Sequence, residues 1–177
     1  QHLLSAVLPG SHIVFVGDAD QLPAVGPGSV LKDILRSGVF PCVRLTQIFR
    51  QNNRGTIVLN AHAINTGSMP TFTGNDFSFV SAVSAEEAAK QVLSICQSLI
   101  EEGNSVMDMQ VLSPMRREAC GVDALNRTLQ EALNPETEDN ASIAGFRSGD
   151  KVMQIRNDYT KNVFNGDVGC IVWIDTE

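Results

Sequence analysis

The run "HIVFVGD", residues 12–18, constrains the fold more than any other stretch of this 177-residue chain. β-Branched and aromatic residues follow one another there without polar alternation, and Gly17 ends the run. That pattern describes a strand covered on both faces, the situation of a parallel sheet wrapped by helices, so the chain is predicted to be α/β. The stretch that follows, "GDADQLPAVGPGSVL" (17–31), places two acids, one glutamine, two prolines and three glycines in fifteen positions. Ligands of open α/β sheets collect at the carboxyl ends of strands, where this turn sits. Asp18 and Gln21, in a turn stiffened by Pro23, suit a phosphate-handling site. A carboxylate can hold a metal-bound water, and a primary amide can donate to a phosphate oxygen and accept from water. The same two residues equally suit an ordinary βα turn that satisfies its own backbone. The G-x-G of "GPGSV" is no dinucleotide fingerprint, because Leu31 stands where the third glycine belongs and the glycines do not open directly from the strand.

The α/β alternation continues. "SVLKDILRSG" reads as a short amphipathic helix, with Ser29 at the N-cap, Val30, Leu31, Ile34 and Leu35 on one face, and Gly38 as its stop. "CVRLTQIF" (42–49) returns as a strand, "GTIVLNAHAINTG" is a helix ended by Gly67, and "PTFTGND" is a polar connector. "FSFVSAV" (77–83) reads as a strand, "SAEEAAKQVLSICQSLIEEG" as a helix capped by Ser84 with acids in its first turn, and "DMQVLSP" (108–114) as another strand. In "GVDALNRTLQEALN" the apolar residues Val122, Leu125, Leu129 and Leu133 recur at spacings of three and four, which makes a further amphipathic helix. The tail changes character: "DKVMQIRND" and "VFNGDVGCIVWID" are two β runs with a turn signal at Asn165-Gly166.

Hydrophobic residues make up 43% of the chain, enough for a packed core, and no run approaches the roughly 20 apolar residues of a membrane span. Cys42, Cys96, Cys120 and Cys170 form no C-x-x-C pair, which favours reduced thiols and a cytoplasmic protein with no membrane partner. His2, His12 and His62 lack metal-ligand spacing. The net charge of −7 argues against a nucleic-acid binder until its distribution is read: residues 1–60 carry five basic and three acidic side chains, and residues 61–140 four and twelve. The acid sits in "EE" pairs and in "NPETEDN", which read as solvated helix faces and a loop.

Three longer strings, "VFVGDADQLPAVGPGSVLKDILRSGVFPCVRLTQIFRQ", "VLSPMRREACGVDALNRTLQ" and "GDKVMQIRNDYTKNVFNGDVGCI", resemble, in order, motifs of superfamily 1 DNA helicases of the RecD family, especially its short-form members. The resemblance implies a RecA-like P-loop helicase fragment. Residues 1–50 would be the carboxyl-terminal part of the first RecA-like domain, 51–145 a segment of the second, and 146–177 a β segment entering a truncated SH3-like insertion. It implies ATP and Mg²⁺ in the parent protein, single-stranded DNA and DNA forks as partners, and recombination or repair proteins as further ones. Gln21 with Asp18 matches the motif that reports the γ-phosphate state to the DNA groove. Arg50, with Gln51 beside it, matches the arginine that approaches the γ-phosphate across the cleft, a task suited to an always-charged, bidentate guanidinium, the alternative being a surface arginine that caps a helix. Ser113 and Arg116 match a contact to single-stranded DNA, where a hydroxyl and a guanidinium can hold phosphates without reading sequence; Arg116 could equally be half of a solvated pair with Arg117. Asn157, Tyr159, Asn165 and Asp167 match the β segment leading into the insertion, with Asn165-Gly166 better read as turn chemistry.

A helicase motor needs a G-x-x-x-x-G-K-[ST] loop and an acidic pair for magnesium, yet no lysine here follows a glycine and Asp-Glu never occurs. The expectation is a fragment that starts after the magnesium motif, binds no cofactor tightly and hydrolyses no ATP alone. The parent would move 5′ to 3′ on single-stranded DNA and unwind duplex. The family's other name, exodeoxyribonuclease V alpha chain, implies no nuclease, since no acidic cluster for strand cleavage is visible. Two other classes stay open: a non-catalytic module binding single-stranded DNA, and a protein-interaction module whose acidic middle faces a basic partner.

Overall fold

The structure, a computed structural model, describes residues 2–21, 26, 28–45 and 55–175. The chain divides into two compact units, Gln1–Phe79 and Val80–Glu177. The first carries helices α1 (His2–Ser5), α2 (Val30–Ser37) and α3 (Thr56–Asn65). The second carries α4 (Ala85–Glu101), a 3₁₀ turn (Val106–Asp108), α5 (Val122–Leu133) and the strands β1 (Lys151–Met153) and β2 (Val168–Cys170).

In the first unit α2 starts at the expected serine, but the cap works in reverse: Asp33 Oδ2 accepts from the Ser29 amide at 3.2 Å, and the serine hydroxyl makes no cap bond. Gly38 ends the helix in the left-handed region at φ 63°, where glycine is free of the Cβ penalty. The connector 70–76 is fastened to α3 at both ends. Asn60, 1% exposed, donates to the Thr71 carbonyl and accepts from the Thr71 amide, both at 2.7 Å, so the buried amide is paired at its nitrogen and at its oxygen. Asp76 accepts from the amides of Thr56 and Ile57 at 3.2 and 3.3 Å and so caps α3 from outside the helix. Gly74 makes this approach possible, since a Cβ there would lie 1.7 Å from Thr56 Oγ1. Phe72 packs against Phe77 and Phe79 at ring separations of 6.0 and 4.9 Å.

In the second unit α4 begins as expected, with the Ser84 hydroxyl accepting from the Glu87 amide at 3.2 Å while Glu87 Oε2 accepts from the Val83 amide at 2.8 Å. α4 packs on α5, and each supplies one buried apolar side chain, Cys96 and Leu125; burial pushes the Cys96 thiol pKa up. β1 and β2 pair antiparallel, Lys151 opposite Cys170 and Met153 opposite Val168. Asp150, 9% exposed, fixes this hairpin to the end of α5. Its carboxylate accepts from Gln130 Nε2 at 2.5 Å, Asn134 Nδ2 at 2.7 Å and the Arg147 amide at 2.8 Å. Arg147 in turn donates to the Asn134 carbonyl at 2.8 Å and pairs with Glu136 at 3.7 Å. The Lys151 ammonium donates to the carbonyls of Val106, Met107 and Met109, which joins β1 to the 3₁₀ turn.

The predicted parallel sheet is where the structure differs. Residues 12–18, 42–45, 77–83 and 109–114 form no strand, and among the described residues the only sheet is β1–β2. The second half of "CVRLTQIF" lies outside the described residues. Val14 is 82% exposed, Val16 92% and Leu112 86%, so these runs carry apolar side chains that the described residues do not cover. The physical reason is that a central strand is completed by its neighbours: its pattern records that both faces are to be covered, and covering them takes other strands and helices.

Asp150→Ala is expected to lower the unfolding free energy by about 3 kcal/mol, the scale of leaving several buried donors without an acceptor, and a urea denaturation midpoint measures it. At Asp76, desolvation works to raise the carboxyl pKa, but the bonds from the Ile57 amide, the Thr56 side chain and the Asp76 and Thr56 amides together hold it below its ordinary 3.8. A depressed folded pKa means that the α3 cap is fully present above the unfolded value and is lost as pH falls through the folded one. A carboxyl NMR titration of Asp76 should therefore show a midpoint below 3.8.

Candidate nucleic-acid interface

The Asp18–Gln21 turn is closed by its own side chains. Asp18 Oδ1 accepts from the Asp20 amide at 3.0 Å, and Asp18 Oδ2 accepts from Gln21 Nε2 at 3.1 Å. The structure thus brings the two expected residues together, both exposed, in an Asx turn. That turn leaves the Gln21 carbonyl oxygen without a hydrogen-bond partner among the described residues. Arg50, Gln51 and Pro23 lie outside the described residues.

In the second unit the loop 113–123 folds around Ser113. Its hydroxyl lies 2.8 Å from the Cys120 carbonyl and 3.1 Å from that of Met115, and it accepts from the Met115 amide at 3.3 Å. Ser113 therefore builds the loop, and its proton is engaged within it. The Met115 and Arg116 carbonyls accept from the Val122 and Asp123 amides at 3.0 and 3.1 Å, which satisfies the first two amides of α5. A Cβ at Gly121 would lie 2.0 Å from the Arg117 carbonyl oxygen, so only glycine allows the loop to close this tightly. Arg116 stands on the outside, its side chain 85% exposed and its Nε 3.4 Å from the Asp123 carboxylate. Arg117 is exposed beside it with no ion-pair partner among the described residues. Behind the loop is a cavity of about 370 Å³ whose lining includes Ala88, Val92, Val111, Leu112, Met115 and Leu125. No acid, lysine, arginine or histidine lines it, and its polar side chains are Ser84, Ser113 and Cys120.

The segment 154–167 between the strands forms a second exposed loop. Asp158 Oδ1 accepts from the Thr160 and Lys161 amides at 3.0 and 3.1 Å, and Asp167 Oδ2 accepts from the Phe164 amide at 2.7 Å. Both carboxylates are consumed by turn amides, whereas Arg156 and Lys161 are exposed and have no ion-pair partner among the described residues. Asn157 is a strut: it accepts from the Asn165 amide at 2.8 Å and donates to the Tyr159 hydroxyl at 3.3 Å. Tyr159, 78% exposed, rests edge-on against Phe164 at 6.1 Å and presents a ring on which a base could stack. Gly166 takes φ 96°, the turn geometry expected at Asn165-Gly166. Reading for motifs missed Arg156 and Lys161; the signal was the alternation of basic and aromatic residues in "IRNDYTK".

The two loops thus expose Arg116, Arg117, Arg156 and Lys161, and the second also exposes the ring of Tyr159. Residues 1–91 match the AAA domain, and residues 125–177 match the ATP-dependent RecD-like DNA helicase SH3 domain. The chain belongs to the AAA-domain family and is similar to RecD-like helicases. It is 36% identical over 172 residues to the ATP-dependent RecD2 DNA helicase of Deinococcus radiodurans, covering 96% of this chain and 23% of that protein. It is 29% identical over 186 residues to the RecBCD enzyme subunit RecD of Mycolicibacterium smegmatis, and 26% over 188 residues to that of Mycobacterium tuberculosis, in each case over 96% of this chain. The chain thus spans between 23% and 33% of the length of these relatives. No helix among the described residues is long and apolar enough to cross a membrane.

Gly121→Ala is expected to destabilise the second unit by about 2 kcal/mol, because the added methyl meets fixed backbone rather than a movable side chain. Faster amide hydrogen exchange across residues 113–123, together with a lower unfolding midpoint, is the readout.

Proposed function

We propose that this chain is the part of an ATP-dependent DNA helicase that links the nucleotide site to the hold on single-stranded DNA. The whole protein moves 5′ to 3′ along one strand and unwinds duplex and forks in recombination or repair, with other proteins of those pathways as partners. The observation that carries this reading is the match of residues 125–177 to the SH3 domain of ATP-dependent RecD-like DNA helicases, the stretch from which Arg156, Tyr159 and Lys161 project. The names of the relatives, helicase and RecBCD subunit, support it over 96% of the chain.

The residues here do not make a whole Mg²⁺–ATP site. The 177 residues contain no G-x-x-x-x-G-K-[ST] loop. Hydrolysis is therefore assigned to groups outside this chain, which has no ATPase of its own. Its contribution is a polar turn at Asp18 and Gln21, with Arg50 and Gln51, beside a nucleotide held elsewhere. Ser113 shapes the loop that presents Arg116 to phosphates, and Asn157 holds Tyr159 for stacking. The domain division at residues 50 and 145 belongs to the same proposal.

In the full-length protein, Arg50→Ala should reduce DNA-stimulated ATP hydrolysis by about 10³-fold, the scale of an arginine acting on a transferring phosphoryl group. Gln21→Ala should uncouple hydrolysis from unwinding, and neither change should alter affinity for a single-stranded oligonucleotide. Arg116→Ala should do the opposite, weakening that affinity and flattening its salt dependence. Full ATPase activity in Arg50→Ala, or hydrolysis by the 177-residue chain alone, contradicts the reading.

A further inference from the structure

We propose that Asp123 is an internal competitor for the DNA strand: its carboxylate holds the Nε edge of Arg116 and so weakens the contact between Arg116 and a backbone phosphate, keeping that contact easy to release. The inference rests on the reading of Arg116 as a contact to single-stranded DNA.

The loop enforces the pairing. Asp123 is the second residue of α5, and its amide donates to the Arg116 carbonyl at 3.1 Å, so the main chain holds the two residues together before their side chains meet. Both carboxylate oxygens then lie 3.4 Å from Arg116 Nε. Gly121, which tolerates no Cβ, and Ser113, bonded to the Cys120 and Met115 carbonyls, keep the loop in the shape that brings them close. Neither Nη of Arg116 has a partner among the described residues, so the guanidinium can still take a phosphate on its outer edge. That phosphate meets a charge already offset by a carboxylate across the width of one guanidinium. Over residues 116–123 two arginines stand against two acids, Glu118 and Asp123, and only Asp123 is seated on an arginine among the described residues.

The side chains are 85% and 58% exposed, so the pair contributes little to the fold and its effect is felt in competition with an incoming anion. A protein that moves along a strand must release each phosphate as readily as it takes it. A neutralised arginine does this better than a bare one.

The test uses the full-length protein without nucleotide and a fluorescent single-stranded oligothymidylate, with affinity measured across a salt series. Asp123→Asn keeps the shape and removes the charge; it should bind about two- to fivefold tighter at low salt, the scale of an exposed ion pair. The slope of log affinity against log salt should steepen by up to about 0.7, the increment for one added phosphate contact on a single strand. The gain should vanish in an Arg116→Ala background. Equal or weaker binding by Asp123→Asn, or a gain that persists without Arg116, overturns the inference. Asp123→Ser gives the same reading if the asparagine variant melts early. If Arg116→Ala leaves affinity unchanged, the DNA-contact reading fails as well; if it weakens binding while Asp123→Asn does not tighten it, only the competitor fails.

Discussion

The Asp150 carboxylate receives hydrogen bonds from the side chains of Gln130 and Asn134 on one side and from the Arg147 amide on the other, and the second unit is organised around it. A buried acid is costly unless every lone pair is used, and here the donors come from a helix end and from the turn that starts the hairpin. The same contact therefore ends α5 and begins β1. Asn134 does double duty, since its amide also donates to the Ser148 carbonyl at 2.9 Å and its oxygen accepts from Asn140 at 3.0 Å. With two buried apolar side chains in this unit among the described residues, Cys96 and Leu125, polar fastening carries much of what a larger core would otherwise do.

The same economy recurs at smaller scale. Asp76 holds the start of α3, Asp18 closes the turn after "HIVFVGD", and Asp158 and Asp167 shape the loop that carries Tyr159. In each case a carboxylate accepts from backbone amides that would otherwise go unpaired. The bonds fix where each of these charges sits without removing it.

The helices were legible in the sequence because their signals are local. Leu125 and Leu129 repeat at helical spacing, Gly38 and Gly103 stop α2 and α4 at positive φ, and Ser84 caps as a serine three residues before Glu87 should. Ser29 shows the limit of that reasoning, since the position is right and the bond belongs to Asp33. The four apolar runs were read as paired strands from a pattern that reports required burial and cannot name what supplies it. The site was legible in the same uneven way. Asp18 with Gln21, and Asn157 with Tyr159, are close in sequence and meet through side-chain hydrogen bonds. The Arg116–Asp123 pair depends on how tightly Gly121 lets the loop fold back, and the roles of Asp150 and Lys151 depend on partners tens of residues away.

α5 is twelve residues long, about 18 Å at the helical rise. Its first turn is bonded to the loop that carries Arg116, and its last turn to the turn that starts the hairpin carrying Tyr159. A helix with both ends fastened is a ruler. The interval between the Arg116 loop and the start of the hairpin is set by that helix, and changing it requires breaking the bonds at one end of α5.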